Sequence, residues 1–186
     1  MIGQDAGVID MGKRALLVVD MQQGLFAGPR HDADGLLERL NELAGRLRAK
    51  GTPIIFIQHC GPEDNDLHPS QPGHAIHHAL TVEASDTIIT KASCDAFLGT
   101  TLADTLAEAE VTELIVTGCA TDFCVDTTVR SALALGYKTI VPEDGHTTGD
   151  RPYLSAQKVI EHHNAVWANF ISPVGPAQLT RCERIT

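Results

Sequence analysis

The sequence has few aromatic residues and no concentration of positive charge. Phenylalanine, tryptophan and tyrosine make up only 4% of its 186 residues, so we do not expect a pocket walled by many rings. The formal net charge is -10 at pH 7, and no cluster of lysine and arginine stands out. Because nucleic acids and anionic membrane surfaces recruit proteins through positive charge, neither is an expected partner.

Long apolar runs are also missing. No stretch is long enough to cross a bilayer, and the first residues lack the apolar core of a secretion signal, so we predict a cytoplasmic protein. The cysteines are five in number and are not closely paired: Cys60, Cys94, Cys119, Cys124 and Cys182. An odd number without tight spacing favours reduced thiols over a disulfide framework.

Short apolar segments alternate with helical patterns through most of the chain. The pattern predicts strands over residues 15–20, 53–58, 87–90, 113–117, 138–141 and 167–171. It predicts helices over residues 36–50, 100–109, 125–135 and 155–164. Such alternation is typical of an α/β domain whose mostly parallel sheet carries helices on both faces. We therefore predict one domain over residues 14–186, after a lead-in of residues 1–13.

A turn between a predicted strand and a predicted helix carries a cysteine. The segment Thr-Gly-Cys-Ala-Thr-Asp-Phe-Cys occupies residues 117–124, after an apolar run and before helical spacing. Free backbone N–H groups and the positive end of a helix dipole favour a thiolate in such a turn. Cys124 is therefore a candidate nucleophile, although a free cysteine is most often a small buried hydrophobe.

Three other chemically able side chains follow predicted strands. Asp20, His59 and Lys91 each lie at or just after a carboxyl end, where ligands bind in parallel α/β sheets. A carboxylate at Asp20 would accept the thiol proton, and an ammonium at Lys91 would keep both groups charged. With backbone N–H groups holding an oxyanion, this set predicts acyl transfer through a covalent thioester.

Three motifs in this order carry a family resemblance. They are Leu-Leu-Val-Val-Asp-Met-Gln at residues 16–22, Lys91 followed by Asp-Ala-Phe-Leu-Gly-Thr at residues 95–100, and Gly-Cys-Ala-Thr-Asp-Phe-Cys-Val at residues 118–125. Through them the chain resembles the isochorismatase-like cysteine hydrolases, which include nicotinamidases, N-carbamoylsarcosine amidohydrolases and isochorismatases. The resemblance implies a six-stranded parallel sheet flanked by helices, usually assembled as a homodimer or homotetramer.

The resemblance also implies roles for single residues. It places Asp20, Lys91 and Cys124 on the catalytic triad and a cis peptide bond between Cys119 and Ala120. It implies an oxyanion hole formed by the amides of Ala120 and Cys124. The implied activity is hydrolysis of an amide, ureido or carbamoyl C–N bond in a small molecule, without a cofactor.

The residues after the second predicted strand depart from one branch of the family. Nicotinamidases carry an Asp-x-His metal motif there, whereas this chain has Gln58, His59 and Cys60. A metal-dependent, nicotinamidase-like amidase with His59 as a ligand is therefore an alternative, and no metal ligand is assigned. True isochorismatases lack the nucleophilic cysteine, so Cys124 argues against their vinyl-ether chemistry. A non-catalytic member that binds metabolites or senses oxidants through Cys124 is the remaining alternative.

The substrate pocket is the least defined part of the predicted site. We expect His59, Phe97 and Phe123 to line it, because they flank the predicted catalytic groups. A phenylalanine such as Phe97 more often packs in the core or against a loop. The histidine-rich loop over residues 59–78 and the segment over residues 144–153 are expected to control specificity.

Overall fold

The computed structural model describes residues 13–186, in which strands alternate with helices. Of the predicted lead-in over residues 1–13, all but the last residue lies outside this range. The strands are β1 (Lys13–Val19), β2 (Ile54–His59), β3 (Thr87–Lys91), β4 (Val111–Cys119), β5 (Lys138–Pro142), β6 (His146–Thr147) and β7 (Gln178–Thr180). The helices are α1 (Ala33–Arg48), α2 (Leu102–Glu108), α3 (Asp126–Ala134) and α4 (Ala156–Ala168). The predicted α/β class is confirmed.

One parallel sheet organises the domain. Six strands follow the order β3-β2-β1-β4-β5-β7, and the short β6 pairs with the end of β4. Because the pairings are parallel, the carboxyl ends of the strands meet at one edge of the sheet, here called the carboxyl edge. The opposite edge is called the amino edge. The chain order reverses between β1 and β4, and ligands of open α/β sheets bind at such a switch point.

Helices cover both faces of the sheet, which explains why β1 and β4 are almost continuously apolar. On one face, α1 buries a stripe of leucines at helical spacing: Leu36, Leu40, Leu43 and Leu47. On the other face, α2, α3 and α4 pack over the alternate residues of the same strands. Among the described residues, no helix is both long enough and apolar enough to cross a membrane.

The predicted strand over residues 167–171 is wrong. Trp167 lies near the end of α4, which extends four residues beyond its predicted end. Its ring is fully buried, and its Nε1 donates a hydrogen bond to Asp126 Oδ1 at 2.8 Å. The sixth strand of the ordered sheet is instead β7, paired with β5. A short apolar run fits a buried helix end as well as a strand, so periodicity could not separate the two.

Candidate active site

The carboxyl edge holds a buried ion pair. Lys91, at the end of β3, reaches past β2 and places its Nζ 2.6 Å from Oδ2 of Asp20, which follows β1. The Lys91 and Asp20 side chains are 0% and 1% exposed. The ammonium also donates to the carbonyl of Ser93 at 2.9 Å. Burying two charges costs desolvation free energy that an ion pair rarely recovers in full, so a pair at this edge indicates a functional site.

The second oxygen of the Asp20 carboxylate is free. Oδ1 is buried and has no hydrogen-bond partner among residues 13–186. The residue has a φ of 49°, an uncommon backbone angle for a residue with a Cβ. Its N–H donates to the Ile57 carbonyl at 2.8 Å, which fixes the backbone beside β2. Asp20 is thus held in place with one acceptor oxygen available for a proton.

The end of β4 depends on a glycine. Gly118 has a φ of 123°, and a Cβ at this position would lie 2.0 Å from the carbonyl oxygen of Val19. Only glycine therefore allows β4 to run this close to β1 where the site begins. The next peptide bond, between Cys119 and Ala120, is cis.

Cys124 lies in a single π-helical turn that joins β4 to α3. The turn spans Thr121–Val125, and α3 begins at the next residue. The N–H groups of Phe123 and Val125 both donate to the Ala120 carbonyl, at 3.1 and 3.2 Å. This compact turn holds the half-buried Cys124 thiol beside Asp20 and Lys91.

The pKa of Cys124 is shifted upward, whereas the helix-dipole argument predicts a lowered value. Burial raises the pKa of Cys124, the Asp20 charge raises it further, and Lys91 opposes both effects. Burial also raises the pKa of Asp20, against the lowering effect of Lys91. Burial lowers the pKa of Lys91, but interactions with Asp20, above all its charge, and with Cys124 outweigh this effect, so the net shift is upward. Burial thus favours the neutral thiol at Cys124, whereas the helix-dipole argument favours the thiolate.

A cavity of about 310 Å³ opens over this cluster. Asp20, Ala120 and Cys124 contribute to its polar wall, while Leu25 and Leu67 are apolar lining residues. The cavity therefore offers a thiol, a carboxylate and an apolar surface to one small ligand.

The model of the isochorismatase domain family matches residues 14–172 of this chain. The chain belongs to the isochorismatase family. Both the family given by the motifs and the fold expected from it are confirmed.

Relatives of this family member include named enzymes. A streptothricin hydrolase of Streptomyces noursei is 36% identical over 141 residues, which cover 75% of this chain and 56% of the relative. This chain thus spans about half the length of the streptothricin hydrolases that it matches. Nicotinamidase of Escherichia coli (strain K12) is 29% identical over 177 residues, covering 73% of this chain and 83% of the relative. A crystal structure of an isochorismatase family protein has a TM-score of 0.81 and 32% identity, covering 89% of this chain and 96% of that chain.

Two of the three expected pocket residues line the cavity of this isochorismatase-family chain. They are His59 and Phe123. Burial lowers the pKa of His59 and Lys91 lowers it further, so the imidazole is neutral at pH 7. Phe97 is not a lining residue, because its ring stacks on Tyr137 at 5.8 Å between centroids and packs against the core. Phe97 therefore packs in the core, which was the alternative to a place in the pocket.

The histidine-rich loop does not provide the donors of a metal site. Gln58 lies at the start of this loop, and its amide donates to the His74 carbonyl at 2.7 Å. The Cys60 sulfur lies 3.4 Å from His74 Nε2. Within residues 13–186, no group of three or more His, Cys, Asp or Glu side chains is arranged to hold a metal ion. The residues present therefore do not fit the metal motif of nicotinamidases.

Sequence analysis missed three side chains at the site. Gln22, buried after β1, accepts a hydrogen bond from the His59 N–H at 2.8 Å and donates to the carbonyls of His59 and His74. It therefore positions His59 and the loop that follows. Arg30 and Arg151 both line the cavity. Gln22 belongs to the same sequence motif as Asp20, which could have identified it. No spacing in the sequence distinguishes Arg30 and Arg151 from the other arginines.

Proposed function

We propose that this protein is a cysteine hydrolase that cleaves an amide, ureido or carbamoyl C–N bond in a small molecule. One observation carries the proposal: the Cys124 thiol contacts the buried Asp20–Lys91 pair at a cavity. The cavity volume of about 310 Å³ lies at the small end of ligand sites, which span roughly 300–1,000 Å³. The name of the relative nicotinamidase, which denotes an amide substrate, supports the choice of bond.

Acylation begins with transfer of the thiol proton to Asp20. The sulfur of Cys124 then attacks the substrate carbonyl carbon, and the N–H groups of Ala120 and Cys124 hold the oxyanion. When the C–N bond breaks, protonated Asp20 gives its proton to the leaving nitrogen. The products of this half-reaction are a free amine or ammonia and a thioester on Cys124.

Hydrolysis of the thioester regenerates the enzyme. Asp20 takes a proton from a water molecule, which attacks the thioester carbonyl, and the sulfur leaves as the C–S bond breaks. The proton on Asp20 returns to sulfur, and the acid product departs. Lys91 stabilises the carboxylate between these transfers, since its ammonium lies 2.6 Å from Asp20 Oδ2.

The raised proton affinities support this cycle rather than a resting thiolate. A carboxylate whose pKa is raised by burial is a stronger base than a solvated one. A raised thiol pKa favours loss of the Cys124 proton together with attack on a carbonyl. This behaviour disfavours oxidant sensing by Cys124, because sensor cysteines rely on an accessible thiolate.

The decisive experiment combines turnover with a covalent trap. Release of ammonia or amine is measured across a panel of small amides, ureides and carbamoyl compounds. Reactions are then quenched in acid, and the intact mass of the protein is determined. We expect an acyl adduct on Cys124 during turnover, and neither adduct nor product with Cys124→Ala.

Cys60→Ala is the matched control, because Cys60 is also a half-buried free cysteine but is not among the residues that line the cavity. It should keep both turnover and adduct. Product release by Cys124→Ala at the wild-type rate would refute covalent catalysis. Activity that requires an added divalent metal ion would favour the metal-dependent alternative.

Two further properties belong to the same proposal. The family resemblance implies a homodimer or homotetramer, and sequence composition predicts a cytoplasmic protein. Light scattering of the purified protein tests the first property, and a monomer at micromolar concentration would contradict it.

A further inference from the structure

The cavity contains one cation that is not neutralised by a carboxylate. Arg30 lines the cavity, and no Asp or Glu oxygen among residues 13–186 lies within 4.0 Å of its nitrogens. Its Nη1 donates to the carbonyl of the adjacent Pro29 at 3.1 Å. Its Nε is buried without a hydrogen-bond partner in the described chain. A buried donor without an acceptor is costly. No carboxylate of the described residues balances the Arg30 charge, so an anion in the cavity would stabilise this arrangement.

The second arginine of the cavity is paired with a carboxylate. Arg151 donates to both carboxylate oxygens of Asp122, at 2.6 and 2.8 Å, and to the Thr148 hydroxyl at 2.7 Å. Its guanidinium also lies over the Phe123 ring, 5.1 Å from the centroid. Arg151 therefore shapes the wall while Asp122 neutralises its charge, whereas Arg30 keeps its charge available.

The described charged side chains at the cavity and their partners sum to one positive charge. The Asp20–Lys91 pair and the Asp122–Arg151 pair are each neutral in sum. Arg30 is the unneutralised charge among the groups that line the cavity. The chain as a whole has a net charge of -10, so this local excess runs against the general charge of the protein. A cavity with one positive charge attracts ligands of negative charge.

The local fold holds the Arg30 backbone in place. The next residue, His31, donates its N–H to the Thr148 carbonyl at 3.0 Å and accepts from the Thr147 hydroxyl at 2.6 Å. Opposite the side chain is Gly149, where a Cβ would lie 3.0 Å from Arg30 Nη1. A glycine thus leaves room for the guanidinium beside the segment that anchors it.

We infer that Arg30 binds an anionic oxygen group of the substrate, a carboxylate or a phosphate, while Cys124 attacks an amide carbonyl of the same molecule. This inference rests on the proposed function and specifies its substrate class as amides that carry a negative charge. The guanidinium fork suits both anionic groups, because it offers two parallel N–H donors. The apolar residues Leu25 and Leu67 would contact the carbon skeleton between the two ends of the substrate.

Calorimetric titration with matched probes tests the inference without requiring turnover. The anionic probes are the monoamides of malonic, succinic and glutaric acid, and the neutral probes are the corresponding diamides. Inorganic phosphate is the third probe. We expect at least one monoamide to bind the wild type about 10- to 100-fold more tightly than its diamide, which is the size of a charged hydrogen-bonding contribution. Arg30→Met should remove this preference, and Arg30→Lys should keep part of it.

Arg46→Met is the matched control. The Nε of Arg46 is also buried without a partner among residues 13–186, but its Nη2 donates to the Cys182 carbonyl at 2.6 Å. Arg46 does not line the cavity. It should leave the preference for anions unchanged. Circular dichroism confirms folding of each variant, and Arg30→Gln replaces Arg30→Met if the latter is unfolded.

The outcomes separate this inference from the proposed function. No preference for anions in the wild type, or an unchanged preference in folded Arg30→Met and Arg30→Gln, overturns the role of Arg30. If inorganic phosphate binds at lower concentration than any monoamide, the anionic group of the substrate is a phosphate. If a monoamide binds at lower concentration than phosphate, the group is a carboxylate. Turnover without charge preference leaves the hydrolase proposal standing alone. Charge preference without turnover or adduct on Cys124 leaves the anion site standing and removes the hydrolase.

Discussion

Each edge of the sheet has an ion pair between a lysine and an acidic side chain, but the two pairs lie in different environments. At the amino edge, Lys13 pairs with Glu110 in solvent, with side chains that are 62% and 76% exposed. At the carboxyl edge, Lys91 pairs with Asp20 almost completely out of water. Solvent screens the first pair, so its contribution to stability is small. The second pair must overcome desolvation, so it marks the edge where we propose that chemistry takes place.

Cavity size alone would have selected the wrong edge. A cavity of about 540 Å³ lies at the amino edge beside Lys13, Lys50 and Thr186, whereas the one over Cys124 measures about 310 Å³. The larger cavity has no cysteine and no buried charge pair among its lining residues. A candidate site is therefore better identified by buried, strained and unpaired groups than by cavity volume.

The largest effect should come from exchanging one glycine at each edge. At the carboxyl edge, Gly118→Ala would force a Cβ to within 2.0 Å of the Val19 carbonyl oxygen. We expect a loss of more than about 5 kcal/mol in the free energy of unfolding, enough to prevent folding of a domain of ordinary stability. Soluble yield and circular dichroism provide the measurement.

Gly136→Ala is the control at the amino edge. Gly136 precedes β5 and has a φ of 90°, but a Cβ there would meet nothing within 4 Å. The strained backbone angle should cost about 1–2 kcal/mol, and the variant should fold. Equal destabilisation of the two variants would mean that backbone angle, rather than the contact between β1 and β4, governs the carboxyl edge.

The next effect concerns the two lysines. Lys91→Met would leave the Asp20 carboxylate buried without its cation, and breaking a buried pair in this way costs about 3–5 kcal/mol of unfolding free energy. Lys13→Met removes a solvated partner and should leave stability unchanged within error. Urea denaturation at pH 7 measures both. A small effect at Lys91 would show that the buried pair adds little to stability, and would remove the contrast between the two edges.

Sequence patterns were sufficient for the parts of this molecule that depend on local signals. The apolar runs of β1 and β4 identified two central strands, because strands covered on both faces must be apolar throughout. Polar residues directly after such runs, Asp20 above all, indicated the carboxyl edge. The motif around Cys124 then gave the family, which the family model confirmed.

Features that depend on tertiary contacts were not accessible in the same way. The dipole argument at Cys124 is local and predicts a lowered pKa, but burial and Asp20 raise it. The free charge of Arg30 depends on which carboxylates fold near it, and no spacing in the sequence reports that. The end of α4 at Trp167 is helical because its ring fills the core and donates to Asp126, contacts that periodicity does not contain.

The smallest of the three effects is a pH dependence at the carboxyl edge. His146, in β6, is buried and satisfied on both ring nitrogens, which lie 2.9 Å from the Thr121 hydroxyl and 3.0 Å from Asn164 Oδ1. Burial lowers its pKa from 6.5 to about 4. Between these two pH values the unfolded chain binds the proton and the folded chain does not. The stabilising effect of a neutral His146 is therefore lost as the pH falls from 6.5 towards 4, by about 3 kcal/mol in all.

Urea denaturation of the wild type and of His146→Gln, at intervals from pH 7.5 to pH 4, measures the contribution of His146 to the pH dependence of stability. The difference in unfolding free energy between the two proteins should shrink as the pH falls through this range. His162→Gln is the control, because His162 is exposed on α4 and meets a similar solvent in the folded and unfolded chains. Its curve should run parallel to that of the wild type. If the curve of His146→Gln also runs parallel to that of the wild type, His146 accepts a proton in the folded protein as readily as a solvent-exposed residue does. The contrast between the two edges would then rest on the Asp20–Lys91 pair alone.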